Sequence, residues 1–285
     1  MDADIHTLYT SNFYRVLDFR CRCTECTTSK PEYSEAFCIS FVRKGNFLFN
    51  VFRRSFDSYS GCVIITKPGY ERTVTHTHAI PDECTIFEFH HDFYPEILNH
   101  YGHTKFFRDN DVHSTLHKTN PETEFLHFHI ARLILSQTGT KLQLDNLVME
   151  VVHKILGNIT DYTPDNRINP RLKQFHLTTI EQAKEYLTEH FTDDISLQEV
   201  AGHCHVSPFH FSRIFKTFTG YAPHQFLLNI RLKQAELLLK DSALPVADIA
   251  FSSGFNSIEH FTAAFRQKYQ CPPARFRAQH IGQSS

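Results

Sequence analysis

Apolar positions change their period along the chain. Between residues 36 and 90 they fall in short runs: Phe37-Cys38-Ile39-Ser40-Phe41-Val42, Phe47-Leu48-Phe49-Asn50-Val51-Phe52, Cys62-Val63-Ile64-Ile65-Thr66, Thr73–His78 and Cys84–Phe89. Runs of five or six residues bounded by Gly, Pro and Asp predict strands of a small antiparallel barrel or sandwich. Arg43-Lys44-Gly45-Asn46 predicts a hairpin turn between the first two. Residues 1–35 are mixed and predict no defined element. From about 122 the period becomes helical, with Phe125, Phe128, Ile130, Leu133 and Ile134, and again over 141–157 with Leu144, Leu147, Val148, Val151, Val152, Ile155 and Leu156. Thr138-Gly139-Thr140 joins them into an antiparallel helical hairpin, a cover for the barrel or a dimer seam. Residues 158–170 are polar and carry two prolines, which places a linker at 158–172 between a front segment, 1–157, and a rear segment, 173–285. Thr178-x-x-Glu181 predicts the cap of a helix reaching about Phe191.

The rear segment repeats a single helical pattern. His210, Phe211, Phe215, Pro223 and Phe226 meet the same residue types 50 positions later, at His260, Phe261, Phe265, Pro273 and Phe276; Ala201 meets Ala250 after 49. Each copy predicts a short helix, a turn and a second helix with two unlike faces, the grammar of a helix-turn-helix. Phe211, Ile214, Phe215 and Phe218 make the stripe to be buried; Phe209, Ser212, Arg213 and Lys216 make the opposite one. A helix entering a major groove needs such a pair of faces, one packed and one offering donors and an apolar contact to base edges. In the second copy Phe261 and Phe265 pack with help from Ile258, while Glu259, His260, Ala263 and Arg266 face outward. Ser196-x-x-Glu199 and Asn256-x-x-Glu259 supply the expected caps.

These motifs resemble the AraC/XylS family of transcription regulators. The resemblance is carried by Leu197-x-x-Val200-Ala201, Ser207-x-x-His210-Phe211-Ser212-Arg213-x-Phe215-Lys216, Ile249-Ala250, Gly254-Phe255, Phe261-x-x-x-Phe265-Arg266 and Pro272-Pro273-x-x-Phe276-Arg277. It implies a multidomain α+β chain: a cupin-like β-barrel with a helical hairpin in front, and an all-α domain of two helix-turn-helix units joined by a long helix behind. The implied function is sequence-specific binding of double-stranded DNA and effector-responsive activation of transcription, without catalysis. RNA polymerase, an unidentified small molecule and a second copy of the chain are the implied partners. By the family's pattern Phe209, Ser212 and Arg213 face DNA in the first copy, and Ile258, Glu259, His260 and Ala263 in the second; His210, Lys216, Ser257 and Arg266 complete the expected interface. Ala263 stands where the first copy has Arg213 and the family often has a long polar residue, so the second copy is expected to read sequence less stringently.

Composition changes this picture little. Hydrophobic residues at 41% and charged ones at 21% are ordinary for a globular protein, although Phe 27 against Trp 0 is skewed. The formal charge of −2 announces no nucleic-acid partner, and residues 171–285 hold 12 Lys+Arg against 10 Asp+Glu. No apolar run approaches the length of a membrane span and no signal segment opens the chain, so a cytoplasmic protein with eight reduced cysteines is expected. Two clusters carry chemistry of their own. Cys21-x-Cys23-x-x-Cys26 has the spacing of thiolate metal or redox sites, although alternate residues of an edge strand give the same pattern. His76-x-His78 with Glu83, beside Cys84, resembles a metallo-cupin motif in which two imidazoles share a strand face and a carboxylate supplies oxygen. A divalent metal is therefore the one cofactor left open. A thiol- or metal-responsive regulator, and a metal-cupin enzyme, are the alternative functions.

Overall fold

The computed structural model describes residues 3–23, 27–77, 81–159 and 168–281. The chain divides into two compact units, Met1–Glu181 and Gln182–Ser285. Cys26 and His78 lie outside the described residues, as does most of the expected linker.

Among the described residues the first unit holds ten strands: β1 Ala3–Thr10, β2 Tyr14–Cys21, β3 Glu32–Ser34, β4 Phe37–Lys44, β5 Asn46–Val51, β6 Arg54–Tyr59, β7 Cys62–Thr66, β8 Tyr70–His76, β9 Glu83–Phe89 and β10 Ser114–Lys118. They form two antiparallel sheets, one ordered β1-β2-β9-β4-β7-β10 and one ordered β3-β8-β5-β6. Alternation along β5 buries Phe47, Phe49 and Val51, and these share one core with Phe56 and Val74 of the same sheet and with Val42, Ile64 and Cys84 of the other. The sheets are open, where a closed barrel was expected. The hairpin expected at Gly45 is also absent. β4 pairs with β7 and β9, whereas β5 pairs with β6 and β8, so Gly45 is a corner between sheets. Its φ of 86° needs glycine, and a Cβ there would meet the backbone of Asp82 at 2.9 Å.

Five strands, β1, β2, β3, β6 and β10, were not expected. β2 is obscured by Asp18, a 5%-exposed aspartate that breaks its apolar run and pairs with Arg20 and Arg43. Helices α1 Tyr94–Tyr101 and α2 Lys105–Arg108 fill the stretch before β10, with Tyr94 and Phe107 packed on Phe37. Helices α3 Pro121–Leu135 and α4 Lys141–Gly157 follow the expected hairpin. Asn120 and Thr140 cap them, and His127 stacks on Phe41 at 4.5 Å, which seats α3 on the six-stranded sheet.

Helix α5 runs from Pro170 to Glu189, so Thr178 is interior to it and caps nothing. Pro170 explains the earlier start, because proline is favoured in a helix's first turn. The second unit continues with α6 Leu197–His203, α7 Pro208–Thr219, α8 Pro223–Asp241, α9 Val246–Ser252, α10 Ile258–Tyr269 and α11 Pro273–Ile281.

Candidate nucleic-acid interface and a cysteine–histidine cluster

The duplication survives in three dimensions. Phe211 and Phe215 on α7 have ring centroids 5.4 Å apart, and Phe215 meets Phe226 of α8 edge-on at 5.3 Å. Fifty residues on, Phe261 and Phe265 on α10 are 5.5 Å apart, and Phe265 meets Phe276 of α11 edge-on at 5.3 Å. All six rings are buried. Each second helix is thus fixed by the same aromatic wedge, which leaves its other face to solvent.

On α7 that outer face begins at the N-terminus. Ser207 caps the helix by accepting from the His210 amide, and Pro208 takes the first turn. Phe209 is 83% exposed, Arg213 and Lys216 are exposed, and Ser212 and His210 are half-buried. Arg213 Nη2 lies 3.5 Å from His210 Nδ1, so the guanidinium is drawn toward the start of the helix. On α10 the cap is Ser257, which accepts from the His260 amide at 3.1 Å; the expected Asn256 does not have this role. Ile258, expected to help Phe261 and Phe265 pack, is exposed, and Ala264 is the residue buried beside them. Glu259, His260, Ala263 and Arg266 are exposed. The outer face of α7 therefore carries two cations and a phenyl ring, whereas that of α10 opposes one carboxylate to one guanidinium. In both helices the free amides of the first turn point out of the N-terminus, where a phosphate is favoured.

Residues 200–279 match a helix-turn-helix domain family. The chain is similar to the regulatory protein PocR of Salmonella typhimurium, 29% identical over 149 residues, 52% of this chain and 49% of that one. It is also similar to the transcriptional activator RhaS of Klebsiella pneumoniae, 35% identical over 98 residues, 34% of this chain and 35% of that one. The C-terminal region is an AraC-type helix-turn-helix domain. Among solved structures, the DNA-binding domain of AdpA in complex with a target DNA is similar to this AraC-type domain at 30% identity and a TM-score of 0.35, covering 37% of this chain and 94% of that one. The chain spans about half the length of the curated relatives it matches.

Between the copies, α8 braces the AraC-type domain. Phe226 is buried against the first copy's Phe215, Ile230 is buried one turn on, and Leu232, Ala235 and Leu239 join the core of the second copy. Two of its charged residues, Lys233 and Glu236, are buried too. Glu236 accepts from Lys233 at 2.8 Å, Lys240 at 2.6 Å and the Tyr269 hydroxyl of α10 at 2.9 Å. Burial raises the Glu236 carboxyl, but Lys233 and Lys240 outweigh it and hold the group at about 2. Arg231 donates to the carbonyls of Phe191 and Asp193 at 2.7 and 2.6 Å, which closes the unit around the end of α5.

In the first unit, among the described residues, members of two clusters expected to be separate come together. Cys21 at the end of β2, Cys23 just beyond it and His76 at the end of β8 bring their donor atoms within 4.8 Å of one another. Cys21 Sγ is 3.8 Å from both ring nitrogens of His76 and accepts from the Cys23 amide at 3.3 Å. The carboxylate beside His76 is Asp82, whose Oδ2 lies 3.0 Å from Nδ1. Glu83, the expected oxygen donor, pairs instead with Arg43 and Lys44 at 3.6 and 3.7 Å. Strand alternation accounts for the difference: β9 starts at Glu83 and turns it away, while Asp82 precedes the strand and is only 1% exposed. Cys84 sits in the intersheet core, where burial raises its thiol well above the usual range. Burial likewise pushes the Cys21 thiol up to about 11.

A cavity of about 100 Å³ in the same unit was not foreseen. It is lined by Arg54, Lys105, Phe106 and His117, among others, and burial lowers the His117 imidazole so that it is neutral at pH 7. It is smaller than the roughly 300–1,000 Å³ of ordinary ligand pockets. Among the described residues no helix is long and apolar enough to cross a membrane.

Proposed function

We propose that the protein is a sequence-specific DNA-binding regulator of transcription. The observation that carries this reading is the repeated aromatic wedge, which holds α7 and α10 alike by one face and frees the other. Arg213 reads a guanine, Phe209 and Ser212 make flanking base-edge contacts, and Lys216 meets phosphate. Ile258, Glu259, His260, Ala263 and Arg266 form the second, less stringent reading face, while the Ser257 cap and the helix N-terminus position the backbone. His210 contributes from the half-buried edge of α7. Residues 173–285 are the DNA-binding region. Residues 1–157, a double antiparallel sheet with a helical hairpin, are read as a cupin-like regulatory domain whose α3 and α4 support a homodimer. Activation through RNA polymerase in response to an effector follows from the resemblance to activators such as RhaS.

Selection of bound fragments from random duplexes by the full chain, followed by competition, tests this. A recovered consensus should bind at least 10³-fold tighter than scrambled duplex at physiological salt, the lower end of specific recognition. Equal binding of consensus and scramble refutes the reading.

A further inference from the structure

We propose that Cys21, Cys23 and His76 are ligands of a zinc-class cation, with Asp82 orienting the His76 ring. Distances come first. With Zn–S near 2.3 Å and Zn–N near 2.0–2.1 Å, tetrahedral ligands stand about 3.6 Å apart as sulfur and nitrogen. Cys21 Sγ and the His76 nitrogens are 3.8 Å apart, and all three donors fall within 4.8 Å. Asp82 suits the ring to this role. Its Oδ2 lies 3.0 Å from His76 Nδ1, and an Nδ1–H donated there would make Nε2 the nitrogen that binds the metal, the carboxylate–histidine arrangement of many zinc sites. Asp82 is itself placed by the fold: its carbonyl accepts from the Cys21 amide at 2.8 Å, so β2 positions both the thiol and the carboxylate that steers the imidazole.

Donor chemistry then selects the ion. Two sulfurs and an imidazole are too soft for Mg²⁺ or Ca²⁺ and suit Zn²⁺. Binding releases two protons to solvent, one from each thiol, and the two thiolates cancel the charge of the dication. That mutual compensation matters because Cys21 and His76 are each 3% exposed, where an uncompensated charge is costly. Cys23 is half-buried, which gives the ion a route from solvent. Among the described residues these three side chains supply three corners of the tetrahedron that zinc prefers. β2 and β8 belong to different sheets, so the ion would also pin the two sheets together.

The test uses full-length, reduced, metal-stripped protein titrated with Co²⁺. One equivalent should bind with thiolate-to-cobalt charge-transfer absorption, and Zn²⁺ should displace it. Cys21→Ser and Cys23→Ser should each remove about half of that absorption, since its intensity follows the number of thiolates on the metal. Asp82→Asn should keep the band and weaken affinity about 10- to 100-fold. Cys271→Ser, in the other unit, should change nothing. Because Cys23 is half-buried, its serine variant is a mild substitution and reads the site even if Cys21→Ser misfolds. No band in wild-type protein whose circular dichroism is native would overturn the proposal, as would a band undiminished in Cys23→Ser.

Discussion

Arg213 and Ala263 occupy the same place in the two copies, and both are exposed. The guanidinium can pair bidentately with a guanine; the methyl group cannot. Arg213→Ala should therefore cost about 1–3 kcal/mol at one base pair and relax the preference there. Lys216→Ala should instead weaken all duplexes alike and lower the salt slope by about one. Competition assays over single-base variants at two or more salt concentrations separate the two; loss of base preference in Lys216→Ala would reverse these assignments. At this scale the sequence was most legible where the backbone imposes a local rule. Ser196 and Glu199 form the reciprocal capping box that their spacing predicts. It was less legible where two neighbours compete for one role. Ser257 rather than Asn256 takes the cap, and Asp82 rather than Glu83 takes the histidine. Both outcomes depend on where an element starts, to within one residue, and residue type leaves that open.

Among the elements, α8 links chemistry to stability most directly. Lys233 is wholly buried and Glu236 nearly so, and their pair is tied to α10 through Tyr269. Glu236→Gln leaves the Lys233 ammonium buried without its carboxylate, which should cost about 3–5 kcal/mol at pH 7. The folded carboxyl titrates at about 2, below its usual 4.5. Its stabilisation is therefore complete above the usual value and fades as pH falls toward 2. Urea midpoints of wild type and Glu236→Gln should converge over that window; a constant gap would mean the loss is one of packing. The long apolar helices α3 and α4 were readable because their stripes repeat over many turns. Strands were readable only in part. β4 and β5 have clear alternation, yet their local turn says nothing about whether they pair, and the corner at Gly45 is set by Asp82, 37 residues away in the chain. β2 hid behind Asp18, whose burial is compensated by Arg20 on the same strand and by Arg43, which reaches it from β4, outside the local pattern.

At the scale of the molecule, the 50-residue repeat was legible because it is a relation within the sequence, while the cysteine–histidine cluster was not, because its members are 55 residues apart and belong to different sheets. That difference predicts how the two units answer to metal. A cation at Cys21, Cys23 and His76 binds the folded first unit and stabilises it by mass action, about 2.7 kcal/mol at 100 times the dissociation constant. For a unit of Met1–Glu181 this should raise the melting temperature by roughly 5–10 °C. The aromatic wedges of the second unit hold no such site among the described residues. Calorimetry of the full chain with zinc, and again after chelation, should move the transition of the first unit and leave that of the second in place. A shift of both would mean that the two melt as one cooperative body. A shift of neither would mean that zinc does not stabilise the sheets, and the cluster would then be an ordinary pair of thiols beside a buried imidazole.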